Sequence, residues 1–402
     1  MQDDELTLIA SGDMMFDRRT RPPRIIFHQS AFSSASSNFR ASRPTPFLNT
    51  VASRDWLKDN GIPLDGILCS SHSDQSLSLD LAPEADSPEF PFDSIAPELR
   101  SADLVFANLE CPLSTRGRPT RNEMCYRADP RYALAMVKAG ISVVSFSNNH
   151  CMDYGDVAFE DTVAALKAAG ITPIGVVGSS HDRQRAAALE VRGMCIGFLG
   201  YNLLGPDETY AGEQESGIIP LNPLTLAQDC ANFTEQIDLS VASVHWGDEQ
   251  SLTPTQQMID LGHLCVDSGV DIVLGHHSHV PGAIEIYKGK PIVYSLGNFI
   301  FGHTHEHWTT CNMLVKFTCA QKSVTRIEIV PIGSLNAEVF QPCLVGHDRA
   351  HILLSWVSEA SAKFGTKILP VDGHGIVDIP QHHRNRSARL SDEEAFPAIG
   401  WH

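Results

Sequence analysis

His276, His277 and His279 follow directly on Gly275 and on the apolar, β-branched run 272–274. Such a run reads as a buried strand, and a glycine at its end lets the backbone turn at once, so three imidazoles gather at one strand end. His277 and His279, two apart on irregular backbone, can aim ring nitrogens at one shared ion, as divalent metals take imidazole. The alternative is a surface loop that is histidine-rich by composition alone.

Other strand ends carry side chains of the same kind. Residues 5–11 form a strand ending at Gly12-Asp13, where an aspartate is most often a turn or cap unless partners arrive from elsewhere. Run 104–107 delivers Asn108-Leu109-Glu110, and run 141–146 delivers Asn148-Asn149-His150, with Asp153 placed to orient the imidazole and raise its basicity. Run 239–244 presents His245. Active sites of open α/β sheets lie at such ends. Past Gly302, His303, His305 and His307 either line the same cleft or belong to a solvated loop.

Helix and strand patterns alternate between these points. Helical spacing covers 130–139, closed by Gly140, and 158–169, closed by Gly170, followed by a strand at 171–177. Stretches 189–191 and 195–199 read as a hairpin around Arg192-Gly193, residues 205–217 as loop and 224–236 as helix. Thr253-Pro254-Thr255-Gln256 reads as a capping box that opens a helix to 268 and returns the chain to Asp271. Strands at 313–317 and 324–330 complete a sheet, a helix spans 351–364, and 381–389 reads as a mobile tail. The alternation predicts an α/β layered fold. The expected organisation is a catalytic domain over 1–340, carrying an inserted segment at 18–97, and a C-terminal helix and tail over 341–402.

At 402 residues and 43% hydrophobic content the chain can bury a large core. Its net charge of -18 argues against wrapping nucleic acid or adhering to an anionic membrane. No stretch approaches the ~18 uninterrupted apolar residues of a membrane span, and the start lacks a secretion signal, so no membrane anchor and a cytoplasmic location are expected. The ten cysteines form no Cys-x-x-Cys pair and read as buried thiols. Between Arg18 and Arg54 stand seven arginines, no acidic residue and four interleaved phenylalanines. That segment is either a solvated insertion or a flap that grips a carboxylate- or phosphate-bearing partner.

Asp13, the Asn-Leu-Glu at 110, Asn149-His150 with Asp153-Tyr-Gly, His245-Trp-Gly, Gly-His-His277-Ser-His279 and Tyr-Ser-Leu-Gly-Asn-Phe together resemble the CapA family of poly-γ-glutamate synthesis, within the calcineurin-like metallophosphoesterase superfamily. The resemblance covers most of 5–331 outside the insertion. It implies a calcineurin-like four-layer α/β/β/α sandwich with a metal site at the strand ends. By the family pattern Asp13, Glu110, Asn149, His245, His277 and His279 are candidate ligands for one or two divalent ions, and His150 with Asp153 is a candidate acid/base pair. Imidazole-rich coordination suits Mn, Fe or Zn, whereas a site held mainly by oxygen suits Ca or Mg. The chain departs from the superfamily's usual Asp-x-His, because Asp13 is followed by Met14 and Met15.

Three functions compete. The first is Cα epimerisation of a peptide, as in the soluble lasso-peptide epimerases that are similar to CapA. It needs two proton-transfer groups across the substrate, and His150 with Asp153, and Asp13 with His303 or His305, are the candidates. The missing histidine, the absent anchor and the arginine flap favour this peptide reading. The second is hydrolysis of a phosphoester or of a peptide or poly-γ-glutamate amide, and the third is a peptide-binding scaffold without turnover. Oligomeric state is not encoded in any motif.

Overall fold

The computed structural model describes residues 5–17, 87–121, 124–177, 183–184, 186–205, 209–211, 216–234, 237–301, 311–334, 338 and 340–380. The arginine-rich segment 18–54, His303, His305, His307 and residues 381–389 lie outside them. In chain order the strands are β1 (Leu6–Met15), β2 (Leu104–Leu109), β3 (Val143–Ser145), β4 (Thr172–Ile174), β5 (Val176–Val177), β6 (Arg183–Gln184), β7 (Ala186–Val191), β8 (Met194–Asn202), β9 (Gly217–Ile218), β10 (Leu239–His245), β11 (Ile272–His276), β12 (Ile284–Tyr287), β13 (Lys290–Val293), β14 (Asn298–Phe301), β15 (Cys311–Ala320), β16 (Ser323–Gly333), β17 (Ile368–Val371) and β18 (His374–Val377). The helices are α1 (Ala96–Leu99), α2 (Tyr132–Ala139), α3 (Gly155–Ala169), α4 (Pro223–Thr234), α5 (Gln256–Asp267) and α6 (His347–Ala362).

Two sheets form the centre. One runs β17-β18-β16-β15-β1-β2-β3-β4 with β14 beside β1, and the other runs β12-β13-β11-β10-β8-β7. Within them β1 to β4 are parallel, as are β8, β10, β11 and β13. Parallel strands need crossovers, and α2, α3, α4 and α5 supply them. A shared apolar cluster joins the sheets face to face, with Leu8, Phe106 and Val143 from the first and Phe198, Val241 and Leu274 from the second. Outside, Met136, Phe159 and Leu166 of α2 and α3 cover one sheet, and Leu226, Met258 and Cys265 of α4 and α5 cover the other. The layers are therefore α/β/β/α. Every parallel strand that ends in a polar residue delivers it to the same end of the sandwich, and Phe106 stacks on Phe198 at 6.0 Å as the floor beneath that end.

Several expectations are refined. β1 does not stop at Ser11. It bulges and continues to Met15, so Asp13 lies inside a strand, between Asn108 of β2 and Asn298 of β14. The cap of α5 is Thr255, whose hydroxyl accepts from the Met258 N–H at 3.3 Å, two residues beyond the start of the expected box, because Thr253 is held in the preceding turn by the Ser251 hydroxyl. The 171–177 strand breaks at Gly175 into β4 and β5. The end of the 18–97 segment is core: Phe92 and Ile95 are buried in the cluster that includes Phe16, which stacks on Tyr132. Beyond α6, β17 and β18 form a hairpin that extends the larger sheet through β16, an addition without a sequence signal. None of the described cysteines forms a disulfide. Among the described residues, no helix is long and apolar enough to cross a membrane.

Candidate metal centre

Backbone proximity places Asp13. A Cβ on Gly12 would stand 1.9 Å from the Gly297 carbonyl oxygen, so only glycine lets β1 pass, and the Asp13 N–H then donates to that carbonyl at 3.0 Å. The fully buried Asp13 carboxylate accepts from Asn108 Nδ2 at 2.9 Å and from the His277 backbone N–H at 3.2 Å. His276 Nδ1 and His279 Nδ1 stand 3.2 and 3.4 Å from it. Burial alone would raise its pKa, but hydrogen bonding and charge from His276 and His279 outweigh this and hold it well below the usual range.

Glu110 is in the opposite condition. Its backbone N–H is spent on the Met14 carbonyl at 2.7 Å, and its carboxylate is buried with neither oxygen hydrogen-bonded. Burial, then the charge of Asp13, pushes its pKa well above the usual range. Oε1 lies 3.7 Å from His245 Nε2 and 3.8 Å from His279 Nε2. Two donors bound tetrahedrally to one ion at ~2.1 Å stand ~3.4 Å apart, so these separations are near those of co-ligands.

The histidine turn bends at the ligands themselves. Gly275 has no left-handed φ; it is needed because a Cβ there would meet the Tyr294 carbonyl oxygen at 2.1 Å and the Trp246 Nε1 at 2.6 Å. The left-handed residues are His277 (φ 90) and His279 (φ 59), a strain of ~1–2 kcal/mol each that non-glycine residues bear mainly at functional sites. The Gln250 N–H clamps the turn through the Ser278 carbonyl at 2.7 Å. Glu110, His277 and His279 each offer a donor atom, all within 4.8 Å of one another. Burial, then the charge of His279, lowers the His277 pKa to about 3. Burial also works against a charged His279, yet the charge of Glu110 and the bond to Asp13 win and raise it to about 10. His245, depressed well below its usual value by burial and then by His277, accompanies Asn149, whose Oδ1 is 2.8 Å from His245 Nε2. Glu110 Oε1 faces His245 and His279 with neither of its oxygens hydrogen-bonded, so a divalent cation would meet an open carboxylate and imidazole donors, and these fit one. Bound there, it would act as a Lewis acid towards a carbonyl or phosphoryl oxygen.

Beside this pocket stands a carboxylate-backed imidazole. His150 Nδ1 is 2.8 Å from Asp153 Oδ2, which also accepts the Tyr126 N–H at 2.8 Å, while Oδ1 takes the Arg121 guanidinium. Since Asp153 only accepts, Nδ1 carries the proton and Nε2 is the atom left to act on a substrate. The Tyr126 ring packs 4.7 Å from the imidazole. An amide relay joins this pair to the ion pocket: Asn108 donates to Asp13, Asn148 donates to Asn108 Oδ1 at 3.2 Å, and the His150 N–H donates to Asn148 Oδ1 at 3.1 Å.

The structure thus brings Asp13, Glu110, Asn149, His245, His277 and His279 into one place, with His150 and Asp153 adjoining. Sequence reasoning missed Asn108, Asn148, Arg121 and Asn298, whose Oδ1 lies 3.0 Å from His279 Nδ1. Asn108 and Asn148 were within reach, each standing two residues before a singled-out side chain. Arg121 had no signal, since its partner is 32 residues away on another loop.

Facing sheets with outer helices, and carboxylate, amide and imidazole donors at their strand ends, define a calcineurin-like metallophosphoesterase fold. Residues 7–303 match the family model described as bacterial capsule synthesis protein PGA_cap, and the chain belongs to that family. It is similar to the capsule biosynthesis protein CapA of Bacillus anthracis, 28% identical over 255 residues covering 61% of each chain. It is also similar to the PGA biosynthesis protein CapA of Bacillus subtilis, 28% identical over 60% of this chain and 64% of that one. A probable polyglutamine synthesis accessory protein of Mycobacterium tuberculosis is 30% identical over 50% of this chain and 57% of its own length. The chain therefore spans about three fifths of the length of these curated relatives.

Proposed function

We propose that this protein is a metal-dependent enzyme that performs acid–base chemistry on a peptide, with His150 as the proton-transfer residue and Cα epimerisation as the reaction. The observation that carries the reading is the adjacency of two unlike devices: open, buried donors on Glu110, His277 and His279, and an imidazole held in one tautomer by Asp153. A polarised backbone carbonyl makes the neighbouring Cα proton more acidic, and His150 Nε2 is the base that takes or returns it. The opposite face needs a second group. Asp13 is enclosed by donors, which leaves His303 or His305 for that part. Names of the relatives, which refer to capsule, PGA and polyglutamine synthesis, support an acidic or glutamyl peptide. The arginines of segment 18–54 supply forks for its carboxylates.

Amide hydrolysis is the second reading, favoured by His150–Asp153 standing beside the donor cluster as a carboxylate-backed imidazole. One such group suffices to protonate a leaving amine while water attacks the carbonyl carbon. The test is to incubate Mn-loaded protein with a γ-linked glutamate oligomer and with acidic α-peptides in deuterated water. Deuterium at a single Cα with the chain intact supports epimerisation, and new termini without label support hydrolysis. If neither change occurs with any of these peptides, the peptide reading is wrong.

A further inference from the structure

We infer that Arg121 grips a free carboxylate of the peptide beside His150, one nitrogen of its guanidinium being anchored on Asp153 and another presented to the substrate. This rests on the peptide reading of the site and names the residue that selects a glutamyl unit there. The argument starts from the donors. A guanidinium carries N–H groups on Nε, Nη1 and Nη2 in a rigid plane and accepts nothing. Among the described residues, the polar partners of the Arg121 head all meet Nη2: Asp153 Oδ1, the Asn149 carbonyl oxygen at 3.4 Å, and His150 Nδ1, also 3.4 Å away. Because His150 Nδ1 gives its own proton to Asp153, it is no acceptor for Arg121. Nη2 is therefore engaged by Asp153 and Asn149, while Nη1 and Nε keep donors for a ligand. The side chain reaches from the interior to solvent: that of Asp153 is 0% exposed and that of Arg121 38%. Its starting point is fixed, since the Thr120 N–H donates to the Asp153 carbonyl at 2.9 Å.

Two other arginines of the same loop show what a structural role looks like here. Arg116 closes on Asp161 through both Nε and Nη2. Arg127 gives Nη1 to the Arg116 carbonyl at 2.7 Å and lays its guanidinium 4.2 Å from the centre of the Tyr154 ring. Arg121 differs in touching the acid/base imidazole and in having nitrogens to offer beside it. The competing explanation is that Arg121 only neutralises the buried Asp153. That role needs a positive charge but no second nitrogen, so a lysine meets it; a lysine ammonium cannot sit on Asp153 and reach a substrate carboxylate from a separate atom.

The test uses the Mn-loaded full chain and calorimetric binding of γ-linked and α-linked glutamate trimers, each beside its counterpart with the free carboxylates converted to carboxamides. Wild type is expected to prefer the acid to the amide. Arg121→Lys is expected to melt close to wild type yet lose ~10–100-fold of that preference, the worth of a hydrogen bond to a charged group. A lysine variant that keeps the wild-type preference would overturn the inference, since the arginines of segment 18–54 would then suffice. No preference in wild type would overturn it too, while leaving the peptide reading standing. Tighter Arg121-dependent binding of a phosphoserine peptide than of either trimer would overturn the carboxylate assignment. If wild type binds neither acids nor amides, the peptide reading falls with it. Should Arg121→Lys not fold, wild type alone decides: the acid trimer, and not its amide, is expected to slow modification of Arg121 by phenylglyoxal, read by peptide mass mapping, and equal rates would overturn the inference.

Discussion

Replacing Glu110 by Gln should separate stability from metal binding, in opposite directions. In the metal-free protein the Glu110 carboxylate is buried without a hydrogen bond, and an unsatisfied buried polar group costs ~1–3 kcal/mol, more when charged. Gln removes the charge at nearly the same volume, so the metal-free variant should melt at or above wild type. For a chain of this length 1 kcal/mol corresponds to roughly 1 °C, so the gain should be ~1–3 °C. The pH dependence follows from the raised pKa. Below the unfolded value near 4.5 the group is protonated in both states and wild type and variant should be alike. As pH rises, the unfolded chain loses its proton first, so wild-type stability falls relative to the variant until the raised folded pKa is passed. Added Mn at 100 times Kd should stabilise wild type by ~2.7 kcal/mol and leave the variant unmoved. Calorimetric melting in chelator and in Mn, from pH 4.5 to 8, reads all three effects. A variant less stable than wild type in chelator at pH 8, or raised equally by Mn, would refute the reasoning.

The remaining predictions concern the acid/base couple, proton release and the strand end. His150→Ala and Asp153→Asn should each lower turnover by ~10²–10⁴-fold while leaving Mn content unchanged; wild-type rates in either variant would take that residue out of the mechanism. Mn uptake at pH 7 should release at least one proton, because His279, raised to about 10, is charged there and must be neutral to ligate, whereas His277, lowered to about 3, contributes none. Calorimetry in buffers of different ionisation enthalpy measures this, and a buffer-independent heat would contradict it. Gly275→Ala should destabilise by ~1–3 kcal/mol or more by denaturant unfolding, since its Cβ would stand 2.1 Å from the Tyr294 carbonyl oxygen; an unchanged midpoint would show that β11 can shift to make room.

Much of the layered fold was legible because its parallel strands are buried on both faces and so read as short apolar runs, each closed by a polar residue where the pocket begins. Local chemistry was read less well. Gly275 suggested a flexible turn, yet it is kept small by the Trp246 indole and the Tyr294 carbonyl, while the turning falls to His277 and His279. Gly12-Asp13 resembled a strand end because the bulge that carries β1 on to Met15 depends on Gly297, nearly three hundred residues away. Arg121, Asn108 and Asn148 became visible only when separate loops met, since nothing local distinguishes a structural amide from a solvated one. The β17–β18 hairpin, with Leu369 and Val371 exposed, lacks the alternation that marks a half-buried strand.

Anomalous diffraction at the Mn edge from crystals of the reloaded protein tests the central claim most directly. The account predicts a peak enclosed by Glu110, His277 and His279, about 2.0–2.4 Å from a carboxylate oxygen and from two imidazole nitrogens. A peak elsewhere on the chain, or none at full Mn loading, would contradict it.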